Sequence, residues 1–340
     1  LGCPKATFQY YATYINKEFL YFLSYHLTHS LVQDYHGNGK LLLSSEYYVL
    51  DGALALALPT NVGQRLKVTM LPSEHRVLHW RSYDSDGAVW FEAKFSVDTF
   101  ECLDNYVSQK SILLQKILRK TRELSKNFLH ANQYVLVETH LEFPRLWGLG
   151  SSSTLIHNIA KWANVNAFEL LFKTMGGSGY DVACADAERP ILYEKPKVGV
   201  PQSTEVVFNP PFKDKIYFVY LGKKQSSKEG IDYYKSLTQQ KDVLVHKLTT
   251  ITQKFLEVQT LSEFDDLIRQ HETLISQSLK MQRAKDTLFS DFWGEIKSLG
   301  AWGGDFILVT SEKSKEETQS YFSAKGLTVF FGYEELIKEA

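Results

Sequence analysis

The stretch that most restricts the fold of this chain is Pro144-Arg-Leu-Trp-Gly-Leu-Gly-Ser-Ser-Ser153, followed at once by Thr-Leu-Ile-His-Asn-Ile-Ala-Lys-Trp. Glycines and hydroxyls crowd ahead of a pattern with helical spacing. The first backbone N–H groups of a helix have no partners within it, and the helix dipole adds roughly half a positive charge at that end. Glycine lets a backbone approach an anion closely, and serine adds donors. Gly148, Leu149, Gly150, Ser151, Ser152 and Ser153 are therefore suited to cradle a polyphosphate. A plain glycine turn with a serine N-cap fits the same residues. The stretch is not a Walker A loop, because no Gly-Lys-Ser/Thr follows.

Three further stretches carry similar chemistry. "GGSGYDVACA", residues 176–185, leads Asp181 into a short apolar run. "GAWGGDFILV", residues 300–309, sets glycines between a helical pattern and a strand pattern. "NGKLLLSSEYYVLDG", residues 38–52, puts Lys40 at a strand start and Glu46 at a break. Each has a plainer reading: Asp181 as a helix cap, Lys40 as a solvated strand lysine, Glu46 as a loop-orienting group.

Around these stretches the pattern alternates between strands and helices. Strands are expected at 65–70, 76–81 and 88–95, with Asp86-Gly87 as a hairpin turn. Ile112, Leu113, Ile117, Leu118 and Leu124 have helical spacing within 107–125. "YVLVETHLEF" reads as a strand ending at Pro144, and helices are expected over 152–163 and 166–174. Beyond "NPPF" a second, helix-rich region begins. It has a strand at "IYFVYLG", long helical patterns over 228–258, 261–278 and 280–298, and strands at "DFILVTS" and "LTVFFG". The expected division is an aromatic-rich appendage over 1–35, one domain over 36–205 and another over 206–340.

Composition sets the outer limits. The 340 residues are 44% hydrophobic and 23% charged, enough for two moderate cores. A formal net charge of −1 gives no broad attraction to nucleic acid or an anionic membrane. Three cysteines without a CxxC pair argue against a disulfide framework or zinc site, and a reducing cytoplasm fits them. No apolar run reaches the roughly 18 residues of a membrane span. The run Phe19–Val32 is short and broken by Ser24, His26 and His29, so it reads as neither a span nor a signal peptide. The ten histidines show no metal-ligand spacing.

Taken together, the four stretches resemble the motifs of the GHMP kinases, in that family's order, over roughly residues 37 to 310. Residues 144–153 are similar to the family's Pro-x-x-x-Gly-Leu-Gly-Ser-Ser motif. Residues 39–52 resemble its first motif, and residues 300–309 its C-terminal glycine motif in the phosphomevalonate kinase form. "VYLGKKQSSKEGI" resembles the segment after the domain boundary, and "GGSGYDVACA" the aspartate segment of mevalonate kinase. Ser45, Ser153 and Trp302 depart from the pattern, and the Trp302 indole would narrow the nucleotide or substrate pocket.

The resemblance implies an α+β fold of two domains. The N-terminal one would carry a left-handed βαβ crossover, and the C-terminal one would be ferredoxin-like. It implies an ATP-dependent, magnesium-assisted kinase acting on a small-molecule hydroxyl or phosphate acceptor, with mevalonate or phosphomevalonate favoured. Gly148 to Ser153 would hold the ATP phosphates, and Ser152 and Glu169 would reach Mg2+. Asp181 would take the acceptor proton and Lys40 would keep it ionised. Glu46, Gly303, Gly304, Ser226 and Ser227 would touch the acceptor. No nucleic-acid or membrane partner is implied, the location would be cytoplasmic, and a homodimer stays open. The alternatives are a non-catalytic nucleotide-binding or scaffold protein, and the related diphosphomevalonate decarboxylase. The decarboxylase is disfavoured because its Ser-Gly-Ser-Ala-Cys-Arg signature is absent.

Overall fold

The computed structural model describes residues 31–129, 132–223, 227–237, 241–300, 302 and 304–339. Of the segment read as an appendage, residues 1–30 lie outside the described residues. Residues 31–35 belong to the main fold: they open strand β1 (Leu31–Leu42), where Leu31 pairs with Met70 and Tyr35 with Leu66.

β2 (Ala55–Pro72) is an 18-residue strand that organises the first sheet. It pairs antiparallel with β1, with β5 (Gln133–Leu141) and with β6 (Ile191–Glu194). β3 (Val77–Tyr83) and β4 (Val89–Ser96) form the expected hairpin, with Gly87 at φ 82 in its turn. A left-handed φ of this kind is open to glycine without a Cβ penalty. β7 (Gln202–Glu205) closes the order β4-β3-β5-β2-β6-β7, with β1 laid against β2.

Four helices cover this sheet: α1 (Gln109–Leu124), α2 (Ser151–Ala163), α3 (Ala167–Thr174) and α4 (Tyr180–Asp186). Ser108 caps α1 by accepting from the Ser111 amide. The alternating apolar residues Leu66, Val68, Val135 and Val137 of the strands meet Ile117, Leu118, Ile156 and Ile159 of the helices in one core. Polar bonds fix α2 on β2. Thr154 Oγ1 donates to Gln64 Oε1 at 2.8 Å and Asn158 Nδ2 to the Gln64 carbonyl at 2.8 Å.

The second sheet is wholly antiparallel, in the order β11 (Phe330–Gly332), β8 (Ile216–Tyr220), β10 (Phe306–Thr310), β9 (Ile296–Ser298). Counted along the chain this is the 4-1-3-2 order of a ferredoxin-like sandwich. Between β8 and β9 run α5 (Ser227–Ser236), α6 (Asp242–Phe255), α7 (Leu261–Leu279) and the short α8 (Ala284–Leu288). α9 (Lys315–Ala324) and α10 (Tyr333–Leu336) complete the unit. Thr260 and Glu263 form a capping box at the start of α7.

Two helical expectations change. The pattern over 228–258 is split between α5 and α6. The pattern over 280–298 yields only α8 before β9. Phe289, Phe292 and Ile296 have helical spacing and do share one core. Gly294, however, brings its backbone against Thr310: a Cβ there would lie 1.8 Å from the Thr310 carbonyl oxygen. That approach belongs to a turn feeding an edge strand, not to a helix.

The two sheets share a core. Leu41, Leu58 and Leu149 from the first unit pack with Phe218, Phe306 and Phe264 from the second. The chain end closes the seam, since the Lys338 amide donates to the Pro59 carbonyl at 2.9 Å and Thr60 bridges to Ile337. The motif residues of both units line this seam. No helix among the described residues is long and apolar enough to cross a membrane.

Candidate active site

The glycine loop has the backbone its composition suggests. Gly148 and Gly150 stand at φ 73 and 95, and Gly150 occupies the N-cap of α2 with no side chain capping the helix. The Ser153 amide donates to the Gly150 carbonyl at 3.0 Å, which leaves the Ser151 and Ser152 amides of the first turn to solvent or a ligand. Ser151 is half-buried and Ser152 exposed at this helix start. Leu149 is wholly buried in the shared core, worth about 1.5–3 kcal/mol for a side chain of its size. Leu149 can therefore meet a ligand only through its backbone. Ser153 is corrected in the same way. It is buried, and its hydroxyl donates back to the Gly150 carbonyl at 2.9 Å, bracing the loop from inside.

Lys40, near the end of β1, sits beneath this loop. Its amide donates to the Leu149 carbonyl at 3.0 Å and its Nζ to the Gly148 carbonyl at 2.9 Å. Asp181 enters the first turn of α4 behind Gly179, which stands at φ 100. Its Oδ1 accepts from the adjacent Val182 amide at 3.1 Å. Lys40 and Asp181 make no direct ion pair within 4.0 Å. Instead the Tyr180 ring stands beside Lys40, with Nζ 5.9 Å from its centroid.

The second unit brings Asp305 to the opposite side of the loop. A Cβ on Gly148 would lie 2.5 Å from Asp305 Cγ, so the glycine is what admits this carboxylate. Asp305 is itself at φ 56, and its amide donates to the Lys223 carbonyl at 2.7 Å. A cavity of about 60 Å³ opens beside it, lined among others by Lys40, Tyr47, Ser178, Tyr180 and Asp305. Two larger grooves of about 530 Å³ lie elsewhere, and neither is lined by Lys40 or Asp305. Size therefore does not identify the site; Lys40 and Asp305 do, because both line the small cavity and both meet the glycine loop at Gly148.

Several expected contacts fall away. Glu46 is wholly buried and does not line the cavity; it pairs with Lys297 and lies 3.2 Å from His271 Nε2. Burial raises its carboxyl pKa against the opposing pull of Lys297. It is thus a structural group and not an acceptor ligand. Glu169 is exposed and forms a 2.7 Å pair with Lys173 one turn along α3. No three-ligand metal cluster is found among the described residues. The loop offers a magnesium ion the hydroxyls of the half-buried Ser151 and the exposed Ser152, which suits an ion that arrives with a nucleotide and not one held by the protein alone. Trp302 is buried and packs in a core cluster with Tyr47, Tyr48, Tyr234, Leu248 and Ile275. Gly304 is buried beside Asp305. Gly303, Ser226 and the Ser227 side chain lie outside the described residues.

Aromatic residues supply what the sequence left unassigned. Trp147 is taken up by edge contacts with Phe306 and Phe331. Trp90 instead lies under two cations, Lys110 at 4.9 Å and Arg145 at 5.0 Å from the ring. Arg145 also precedes the glycine loop by three residues. Tyr47 and Tyr180 were visible in the sequence only as bulky residues at the motif edges.

The fold and the site define a class: two α+β units sharing a core, with a glycine loop and helix start at their seam. No protein-family model matches the sequence, and no curated protein matches it. Solved structures do. Mevalonate kinase of Methanococcus jannaschii superposes with a TM-score of 0.64 at 11% identity, over 91% of this chain and 98% of that one. Phosphomevalonate kinase of Streptococcus pneumoniae, solved with phosphomevalonate and AMPPNP, gives 0.65 at 16% over 88% and 99%. Galactokinase of Lactococcus lactis, solved with galactose, gives 0.63 at 12% over 90% and 93%. The chain has the GHMP kinase fold.

Proposed function

We propose that the chain is an ATP-dependent small-molecule kinase, with mevalonate or phosphomevalonate as the favoured acceptor, working in the cytoplasm. The observation that supports this best is the start of α2, without a side-chain cap behind two left-handed glycines, in a loop that Lys40 bonds and Asp305 meets, both of which line the small cavity. Backbone amides at such a helix start suit the phosphates of a nucleotide.

Phosphoryl transfer is chiefly positioning and charge neutralisation. In the transfer, the acceptor oxygen bonds to the γ-phosphorus and the bond to the β–γ bridging oxygen breaks. The acceptor proton passes to the Asp181 carboxylate, and ADP leaves. Lys40 anchors the Gly148 carbonyl and places a cation beside the loop. A magnesium ion would arrive with the nucleotide, where it neutralises phosphate charge. A homodimer is compatible with this reading, which needs no nucleic-acid or membrane partner.

Asp305 favours a second reading, a non-catalytic nucleotide-binding or scaffold protein. Its carboxylate against Gly148 opposes phosphate charge at the loop. A coupled ADP-release screen over mevalonate, phosphomevalonate, homoserine and hexoses separates the two. Turnover with one acceptor supports the kinase; nucleotide binding without turnover supports the second reading.

A further inference from the structure

The acceptor side of the seam is narrow, and two phenols make it so. The cavity beside Lys40 holds about 60 Å³. One water-sized group needs roughly 10–15 Å³ measured this way, so the space takes about four to six non-hydrogen atoms, the carboxylate end of an acceptor and not the whole of it.

Tyr47 is only 8% exposed and stands at φ 62, where a non-glycine residue is strained. Its ring stacks on Tyr234 at 5.6 Å between centroids. Its hydroxyl rests over Gly230 of α5, where a Cβ would come within 2.4 Å of it. Tyr180 enters from the other side, on the first turn of α4 and beside Lys40. No hydrogen bond joins either phenol hydroxyl to another described residue. Two polar groups therefore line one small cavity with unused donors, which is the signature of ligand contacts.

Both phenols stay protonated at neutral pH. Burial, helped by the Glu46 and Asp305 charges, pushes Tyr47 up to about 12. Burial and the adjacent Asp181 carboxylate also hold Tyr180 well above its usual range. They are neutral donors beside the Lys40 ammonium. That set suits one carboxylate, while Leu42 and Ile231 supply apolar wall for a short carbon skeleton. A phosphate carries close to two charges at neutral pH, and the Asp305 carboxylate on the same wall opposes it.

Resting on the kinase reading, we propose that Tyr47 and Tyr180 are the specificity-determining residues of the acceptor site. They select a compact hydroxy acid over any acceptor that already carries a phosphate. The acceptor carboxylate takes the two phenol donors, and its hydroxyl is left to face the phosphate loop.

Calorimetric titration tests this on wild type, Tyr47→Phe and Tyr180→Phe, each with AMPPNP present. The probes are hydroxy acids, mevalonate among them, each paired with its phosphorylated form. One hydroxy acid is expected to bind wild type at least about tenfold more tightly than its phosphorylated partner. Each Phe variant is expected to lose about fivefold or more of that affinity, the usual effect of one lost hydrogen bond. AMPPNP affinity is expected to stay unchanged in both. Tyr180→Ala, which enlarges the cavity, is expected to narrow the discrimination against the phosphorylated form. Three results would overturn the proposal: phosphorylated forms binding as well as their parents, no hydroxy acid binding at all, or both Phe variants matching wild type. If the expected binding pattern holds without ADP release, the kinase reading fails and the acceptor site stands.

Discussion

Lys297 on β9 places its ammonium against the Glu46 carboxylate in the loop that follows β1, and both side chains are wholly buried. The pair ties the second sheet to the loop between Lys40 and Tyr47. His271 of α7 joins it, accepting from the Ser45 amide at 2.9 Å. Burial, with the Lys297 charge second, keeps this imidazole neutral. Ser45 and Tyr47, on either side of Glu46, both take positive φ, a cost on the order of 1–3 kcal/mol each. The buried bonds around Glu46 hold that strained turn in place.

Breaking this pair should be costly. Glu46→Gln leaves the buried Lys297 the Ser298 carbonyl at 3.1 Å and, as charged partner, Glu272 at 3.6 Å. A buried ion that loses its partner typically costs about 3–5 kcal/mol. Urea unfolding is expected to show a loss of that order. A loss below about 1 kcal/mol, within the range of an exposed ion pair, would show that Glu46 is not a latch.

Glu272 gives the pH dependence. Burial raises its carboxyl to about 7, against the Lys297 charge and with the Glu46 charge. The folded chain therefore holds a proton that the unfolded chain releases near pH 4.3. Stability from this group is full below that value and lost as pH rises through about 7. Glu272→Gln is expected to match wild type near pH 5 and to melt at a higher temperature near pH 8. Equal shifts at both pH values would refute the assignment.

The sequence carried the backbone of this site better than its side chains. Gly148, Gly150 and Gly179 could be read because a left-handed turn ahead of a helix demands glycine, whatever surrounds it. The strands at 77–83 and 89–96 could be read because alternation and an Asp-Gly turn are local signals. The fates of Glu46, Ser153 and Trp302 are set by contacts over long sequence separations: Glu46 by Lys297, 251 positions away, and Trp302 by Tyr48 and Tyr234. Motif position alone could not tell a ligand contact from a latch. Lys40 and Asp181 form no direct ion pair for a similar reason, since the Lys40 ammonium donates to the Gly148 carbonyl.

The glycine loop allows a comparison between substitutions that share a backbone penalty. Gly148 and Gly176 stand at nearly the same φ, 73 and 74. Alanine at either position pays the left-handed cost of about 1–2 kcal/mol. At Gly176 nothing lies within 4 Å of the added Cβ, whereas at Gly148 it meets Asp305 at 2.5 Å. Gly148→Ala is therefore expected to weaken AMPPNP binding about tenfold or more, the effect of 1.4 kcal/mol. Gly176→Ala should bind the nucleotide like wild type. Equal effects would mean that Asp305 is free to move and does not set the loop.

Asp181 and Lys40 should separate chemistry from binding. Asp181 stands at the start of α4, bonded only to its own helix turn through the Val182 amide. Asp181→Asn keeps the shape and that bond but removes the base. General-base loss typically costs about 10²–10⁴-fold in rate, so turnover should fall by that order with AMPPNP affinity unchanged. Lys40 acts on the loop itself, through the Gly148 carbonyl. Lys40→Met should weaken nucleotide binding as well as turnover, because the loop loses its anchor and its neighbouring cation together. The two variants thus differ in one measurement, AMPPNP affinity by calorimetry. If Asp181→Asn were the one to lose nucleotide binding, or if it kept full turnover, the carboxylate would be a structural cap of α4 and the proton would have to leave by another route.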